Sequence, residues 1–187
     1  MEIKILTTLN ASDRLVQAKR EVSKLGYNAQ AYYAIKHEDA KISFNLSMKD
    51  IVSNCEADVL MMFEDDVEIR KCDHFESAIS QLPSDWELCY LGANIIGEYF
   101  RYSDNLFKVN GAWTTHAVLY NNPKKLCESY NDMTHQFDDW LLRYIQPQMK
   151  SFIISPMIAW QKPHYSPLWN HHADYTNIFD GSANKIL

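Results

Sequence analysis

Glycine is scarce in this chain, 5 among 187 residues, and no stretch builds the Gly-rich loop that cradles phosphates in P-loop enzymes. That class is excluded. The 4 cysteines are Cys55, Cys72, Cys89 and Cys127, with no C-x-x-C pair among them, so zinc-ribbon and thioredoxin-like readings find little support. No run reaches the ~18 apolar residues of a membrane-spanning helix. The opening MEIKILTTLN is not an apolar leader. These absences together lead us to expect a cytoplasmic protein with reduced thiols and no transmembrane segment. Positive charge is not in excess either. The 18 Lys and Arg against 24 Asp and Glu leave a net −6, so bulk electrostatics disfavour a nucleic-acid partner. No internal repeat or low-complexity linker divides the chain.

What is present is an ordinary globular composition, 47% hydrophobic and 22% charged, enough for one domain with a sizeable core. A single domain is expected over residues 1–187, ending in an irregular, aromatic and His-rich tail from about residue 162. Strand signals at 3–9, 28–35, 57–65 and 86–92 alternate with helical periodicity at 10–26, 43–55 and 74–82. In the first helix Asn10 is the expected cap and Gly26 the stop. The order β-α-β-α-β-α-β argues an α/β fold with a mostly parallel central sheet and flanking helices. Residues 93–112 read as loop and irregular strand, followed by a strand at 113–120, helices from Pro123 and over 137–146, and a final strand pair within 151–161.

The stretch ADVLMMFEDDVEIR, residues 57–70, carries the strongest chemical signal. Its continuous apolar run suits a strand covered on both faces. It ends in Glu64, Asp65 and Asp66, and adjacent carboxylates repel. In an open α/β sheet, ligands bind at the carboxyl ends of the strands. A divalent cation such as Mn2+ or Mg2+, bridging these acids to a substrate phosphate, would resolve the repulsion. A solvated acidic turn near Arg70 and Lys71 is the alternative. The first strand ends in Thr7, Thr8 and Asn10, with Arg14 following. Their hydroxyl, amide and guanidinium groups are suited to a nucleotide, or simply to a strand-to-helix turn. Asp138 and Asp139 open a helix, where the dipole favours negative charge; one of them is alternatively a general base.

Four segments resemble glycosyltransferase family 25, the lipopolysaccharide and collagen galactosyltransferase group with a GT-A fold. They are the opening ILTTLNASDRLVQAKREVSKLGYNAQAYYAI, the acidic MMFEDDVEI, the helix start FDDWLL and the closing SPMIAWQKPHYS. The order Leu9-Asn10 is inverted relative to the family's turn. The resemblance implies a GT-A-like domain that transfers a hexose from a nucleotide-sugar, with a UDP-sugar expected, to the hydroxyl of a glycan or another acceptor, inverting the anomeric centre. It implies Asp66 as the direct metal ligand, with Glu64 or Asp65 as second ligand or ribose contact. It implies a late ligand as well, either Gln161 or His164, ahead of His171 and His172. Asp139 is the first choice of base and Asp138 the second. Trp113, Thr114 and Thr115 fall where such folds shape the donor and acceptor pockets, and Tyr165 and Trp169 are candidates to stack on an acceptor sugar. Two rival classes remain. One is a metal-dependent phosphoryl-transfer enzyme or nuclease, and the other a non-catalytic nucleotide- or sugar-binding domain.

Overall fold

A computed structural model describes residues 1–130, 135–166 and 170–187. The elements in chain order are β1 (Glu2–Thr7), α1 (Ser12–Ser23), β2 (Gln30–Tyr33), α2 (Ala40–Ser53), β3 (Val59–Glu64), β4 (Val67–Ile69), α3 (Phe75–Ser80) and β5 (Leu88–Tyr90). There follow β6 (Asn94–Ile95), β7 (Tyr99–Arg101), β8 (Leu106–Val109), β9 (Ala112–Trp113), β10 (Ala117–Asn121), α4 (Pro123–Ser129) and α5 (Phe137–Trp140). The chain closes with β11 (Ser151–Ile154), β12 (Ala159–Gln161), β13 (His164–Ser166), β14 (His171–Ala173) and α6 (Thr176–Lys185).

An 8-stranded sheet in the order β2-β1-β3-β10-β5-β11-β8-β7 forms the centre. From the pairings, β2, β1, β3, β5, β11 and β7 point one way, and β10 and β8 the other. This is the α/β, mostly parallel architecture that the alternating pattern implies. Strand β3 shows why its sequence is apolar throughout. Leu60 and Met62 pack into one layer with Phe44, Met48, Ile51 and Val52 of α2. Met61 and Phe63 point the opposite way, into a layer with Leu15, Ala18 and Val22 of α1. Period-two alternation thus feeds two hydrophobic layers from one strand. Each such fully buried side chain contributes roughly 1.5–3 kcal/mol.

Several local expectations shift. The N-cap of α1 is Ala11, without a side-chain cap hydrogen bond, and Asn10 is exposed beside it. Gly26 does end that helix region, at φ 85°, a conformation that costs glycine little. Helix α2 starts earlier than residue 43 because Asp39 caps it, its carboxylate accepting from the N–H groups of Lys41 and Ile42. The strand expected over 113–120 breaks at Thr114, whose φ is 82°. The helix expected over 137–146 stops after Trp140, continuing as a π turn Leu141–Ile145 and a 3-10 turn Gln146–Gln148. Residues 93–112, expected as loop and irregular strand, hold the short strands β6, β7 and β8 joined by loops, and Ala112 opens β9.

The tail is not irregular. The β13–β14 hairpin and α6 fold back on the body, and Phe179 and Ile186 are fully buried in the α2-side layer. Cys55, Cys72 and Cys89 are free thiols; the Cys127 side chain lies outside the described residues. Among the described residues, no helix is long and apolar enough to cross a membrane.

Candidate active site

One edge of the sheet gathers the polar groups. Strand β1 ends there at Thr7 and β3 at Glu64, and antiparallel β10 begins there, with Ala117 opposite Phe63. A cavity of about 430 Å³ opens at this edge. Thr7, Thr8, Arg14 and, from α2, Ser43 and Phe44 form one wall. Glu64, Asp65 and Asp66 form the floor. Trp113, Thr114, Thr115, Asp138, Gln161, His164, Tyr175 and Phe179 complete the lining.

The acidic triplet is splayed in three directions. Asp65 turns toward β1, where its Oδ2 accepts from Thr7 Oγ1 at 2.6 Å and lies 3.4 Å from the Arg14 guanidinium. Glu64 turns toward β10, its Oε1 accepting from Thr115 Oγ1 at 3.3 Å. Asp66 turns toward the end of β12. Its Oδ2 accepts from Gln161 Nε2 at 3.2 Å and lies 3.2 Å from His164 Nε2, while its Oδ1 is buried with no partner among the described residues.

Burial and crowding raise Glu64, Asp66 and Asp138. For Glu64, burial is the largest cause and the charges of Asp66, Asp138 and Asp65 add to it, lifting the carboxyl well above its ordinary range. Asp66 rises to about 6, mainly through burial, against the opposing pull of His164. Asp138, also in the cavity lining, reaches about 6 as well, again chiefly through burial. Among the described lining residues Arg14 alone carries a permanent positive charge, and it is already engaged with Asp65. An anionic diphosphate entering this cavity would therefore meet net repulsion without a cation.

Two observations fit such a cation to Asp66 and His164. The first is the unpartnered, buried Oδ1. The second is the His164 ring. Its Nδ1 lies 3.0 Å from the Lys162 carbonyl oxygen, which can only accept, so Nδ1 carries a proton. In the neutral ring Nε2 then offers a lone pair toward the Asp66 carboxylate, and two acceptors facing each other call for a shared cation or a second ring proton. Among the described residues, no three His, Cys, Asp or Glu side chains enclose a metal by themselves. A cation beside Asp66 and His164 would need further oxygen ligands from outside these side chains.

The acids that open α5 are separated by the helix. Asp138 lines the cavity. Its Oδ1 accepts from the Asp139 N–H at 2.9 Å, and Trp113 weakly favours its charged form, although the indole Nε1 completes no hydrogen bond among the described residues. Asp139 is not in the lining; both its oxygens accept from Arg143 Nε, at 2.7 and 2.8 Å. Of the two acids, Asp138 is the one placed in the cavity. Asn10 is likewise outside the cavity lining. Tyr165 is exposed on the hairpin and does not line the cavity, and Trp169 lies outside the described residues. Sequence reasoning missed Tyr175, Ile178 and Phe179, which α6 brings to the wall. The three- and four-residue spacing of these apolar positions is the signal that would have revealed the helix.

The fold has counterparts among solved structures. A197 from STIV superposes with a TM-score of 0.54 at 11% identity, over 88% of this chain and 87% of that one. A glycosyltransferase involved in the glycosylation of the major capsid of PBCV-1 superposes with a TM-score of 0.52 at 11% identity, over 82% of this chain and 81% of that one. The chain has a GT-A-like fold. No family model matches it and no curated protein matches it, so the likeness to family 25 rests on the four motifs alone.

Proposed function

We propose that this GT-A-like protein is a metal-dependent, inverting glycosyltransferase that moves a hexose from a nucleotide-sugar, a UDP-sugar by resemblance, to a hydroxyl of a glycan or another acceptor. The observation that carries this reading is Asp66, whose buried Oδ1 lacks a partner among the described residues beside His164 Nε2, in a cavity where, among the described residues, the one guanidinium is already paired. Asp66 and His164 would hold Mn2+ or Mg2+. Gln161, the other candidate for the late ligand, donates to Asp66 and serves to aim its carboxylate. The bound cation would supply charge neutralisation for the leaving diphosphate.

The remaining roles follow from placement. Thr7, Thr8 and Arg14 line the wall beside Asp65 and suit the nucleoside. Glu64, held by Thr115, faces the space between that wall and Asp138 and suits a donor hydroxyl. Asp138 accepts the acceptor's proton. The acceptor's hydroxyl oxygen, as it loses that proton, attacks the anomeric carbon from the face opposite the diphosphate, and the bond to the diphosphate breaks. A carboxyl raised to about 6 is well matched to base work near neutral pH. Trp113 Nε1 and Thr114 Oγ1, both buried without hydrogen-bond partners among the described residues, suit substrate hydroxyls. Thr114 is held at φ 82°, a conformation that costs a β-branched residue on the order of 1–3 kcal/mol.

The test is a panel of nucleotide-sugars with acceptor glycans, with manganese and with chelator. Manganese-dependent release of nucleoside diphosphate, with an inverted anomer by NMR, is expected. Nucleotide binding that ignores chelator would sink the metal role, and binding without turnover would favour the non-catalytic binder.

A further inference from the structure

Behind the cavity, Glu21 of α1 is a buried acid that the mechanism does not use; it is only 8% exposed. Its Oε2 accepts from the Ile69 N–H at 3.0 Å and from Lys24, and Lys24 also donates to the Ile69 carbonyl at 3.1 Å. The two α1 side chains thus grip both polar groups of one β4 residue. On its other edge β4 pairs with β12, Ile69 opposite Ala159. Glu21 Oε1 reaches further, accepting from Lys162 Nζ at 3.0 Å. Burial alone would raise this carboxyl, but the hydrogen bonds from Lys24, Ile69 and Lys162 hold it below its ordinary value.

Lys162 is the link to the site. Its N–H donates to the Asp66 backbone oxygen at 2.8 Å, and its carbonyl is the acceptor for His164 Nδ1 at 3.0 Å. One peptide segment thereby positions the backbone of one cavity residue and selects the ring tautomer of the other. The side chain of that segment is tied down by Glu21 and by no other salt bridge among the described residues.

We propose that Glu21 is a positioning residue for the Asp66–His164 pair, acting through Lys162. The proposal rests on the metal-site reading above. A partner that orients a metal ligand typically changes metal affinity by about 10–100-fold when removed. The experiment compares wild type with Glu21→Gln, Lys162→Met and Lys162→Arg. The first readout is Mn2+ affinity by calorimetry with UDP present. The second, without metal, is the His164 tautomer by imidazole nitrogen NMR.

Wild type should show the Nδ1–H tautomer. Glu21→Gln and Lys162→Met should mix the tautomers and weaken Mn2+ by about tenfold or more, while Lys162→Arg, which keeps the ion pair, stays near wild type. A lower melting temperature with tautomer and Mn2+ affinity unchanged would make Glu21 merely structural and overturn the proposal. Should Glu21→Gln fail to fold, Lys162→Met, whose side chain is at the surface end of the pair, decides the matter by the same two readouts. A wild-type titration blank for Mn2+ would overturn the metal reading alone; the metal-free tautomer then decides the positioning role, which stands if the Nδ1–H tautomer is lost in both variants and falls if both keep it.

Discussion

Two runs of adjacent acids meet at one cavity, and they are handled in different ways. Glu64, Asp65 and Asp66 leave a strand end and a turn, so successive side chains diverge. Each finds its own partner: Thr115 for Glu64, Thr7 and Arg14 for Asp65, Gln161 and His164 for Asp66. Asp138 and Asp139 open a helix, where neighbours are rotated by about 100°. One enters the cavity and the other meets Arg143 one turn along at the surface. The same residue type is thus pushed to about 6 at Asp138 by burial, while its neighbour keeps a bidentate ion pair. Adjacent carboxylates take on distinct chemistry when the backbone sends them to different dielectric surroundings, not when the sequence distinguishes them.

The largest expected break of this contrast is Asp138→Asn. Removing the base while keeping its shape should lower kcat by a factor on the order of 10²–10⁴. UDP affinity in manganese, measured by calorimetry, should hardly change. Full activity would return the base assignment to Asp139 or to the tail.

Next comes Asp66→Asn. Losing a direct ligand should weaken UDP binding in manganese by about 10² and leave binding in chelator unchanged. The metal-free variant should melt no lower than wild type, since one charge of a repelling cluster is gone. A melting transition lost altogether would identify a structural cluster instead.

A smaller effect sharpens the comparison through pH. Asp138 titrates near 6 in the folded protein and near 4 in an unfolded chain. The folded state thus binds an extra proton between these values, so this group's contribution to stability falls as pH rises from about 4 to about 6. Asp138→Asn removes the ionised, buried form. In chelator it should melt above wild type at pH 7, and that gain should shrink by pH 5. In activity, kcat/KM of wild type should drop below about pH 6, approaching tenfold per unit. A flat profile across that range would deny Asp138 the role.

The smallest effect belongs to Asp139→Asn. It opens a solvent-exposed ion pair with Arg143, an interaction of a class that contributes little. A slightly lower melting temperature and near-normal kcat are expected. A loss comparable to that of Asp138→Asn would show that the two acids act as a unit.

Much of the architecture was legible locally. The all-apolar run of β3, the three- and four-residue spacing of α1 and α2, and the β-α alternation determine an α/β sheet, and they place Glu64, Asp65 and Asp66 at its carboxyl edge. These features are written in neighbouring residues, because hydrophobic period and strand end are local properties. Three further matters were decided only by the tertiary structure. Short β4 exists because β12 pairs with it, and three residues are too few to carry a period. Asp138 rather than Asp139 faces the cavity because α5 is docked by Phe137 and Trp140, both buried in the α2-side layer, and that docking sets the helix's rotation. His164 and Gln161 meet Asp66 across a long stretch of chain, 95 residues for Gln161, and no local pattern specifies such a meeting. It depends on how β12 registers against β4, and that register is a property of the folded sheet.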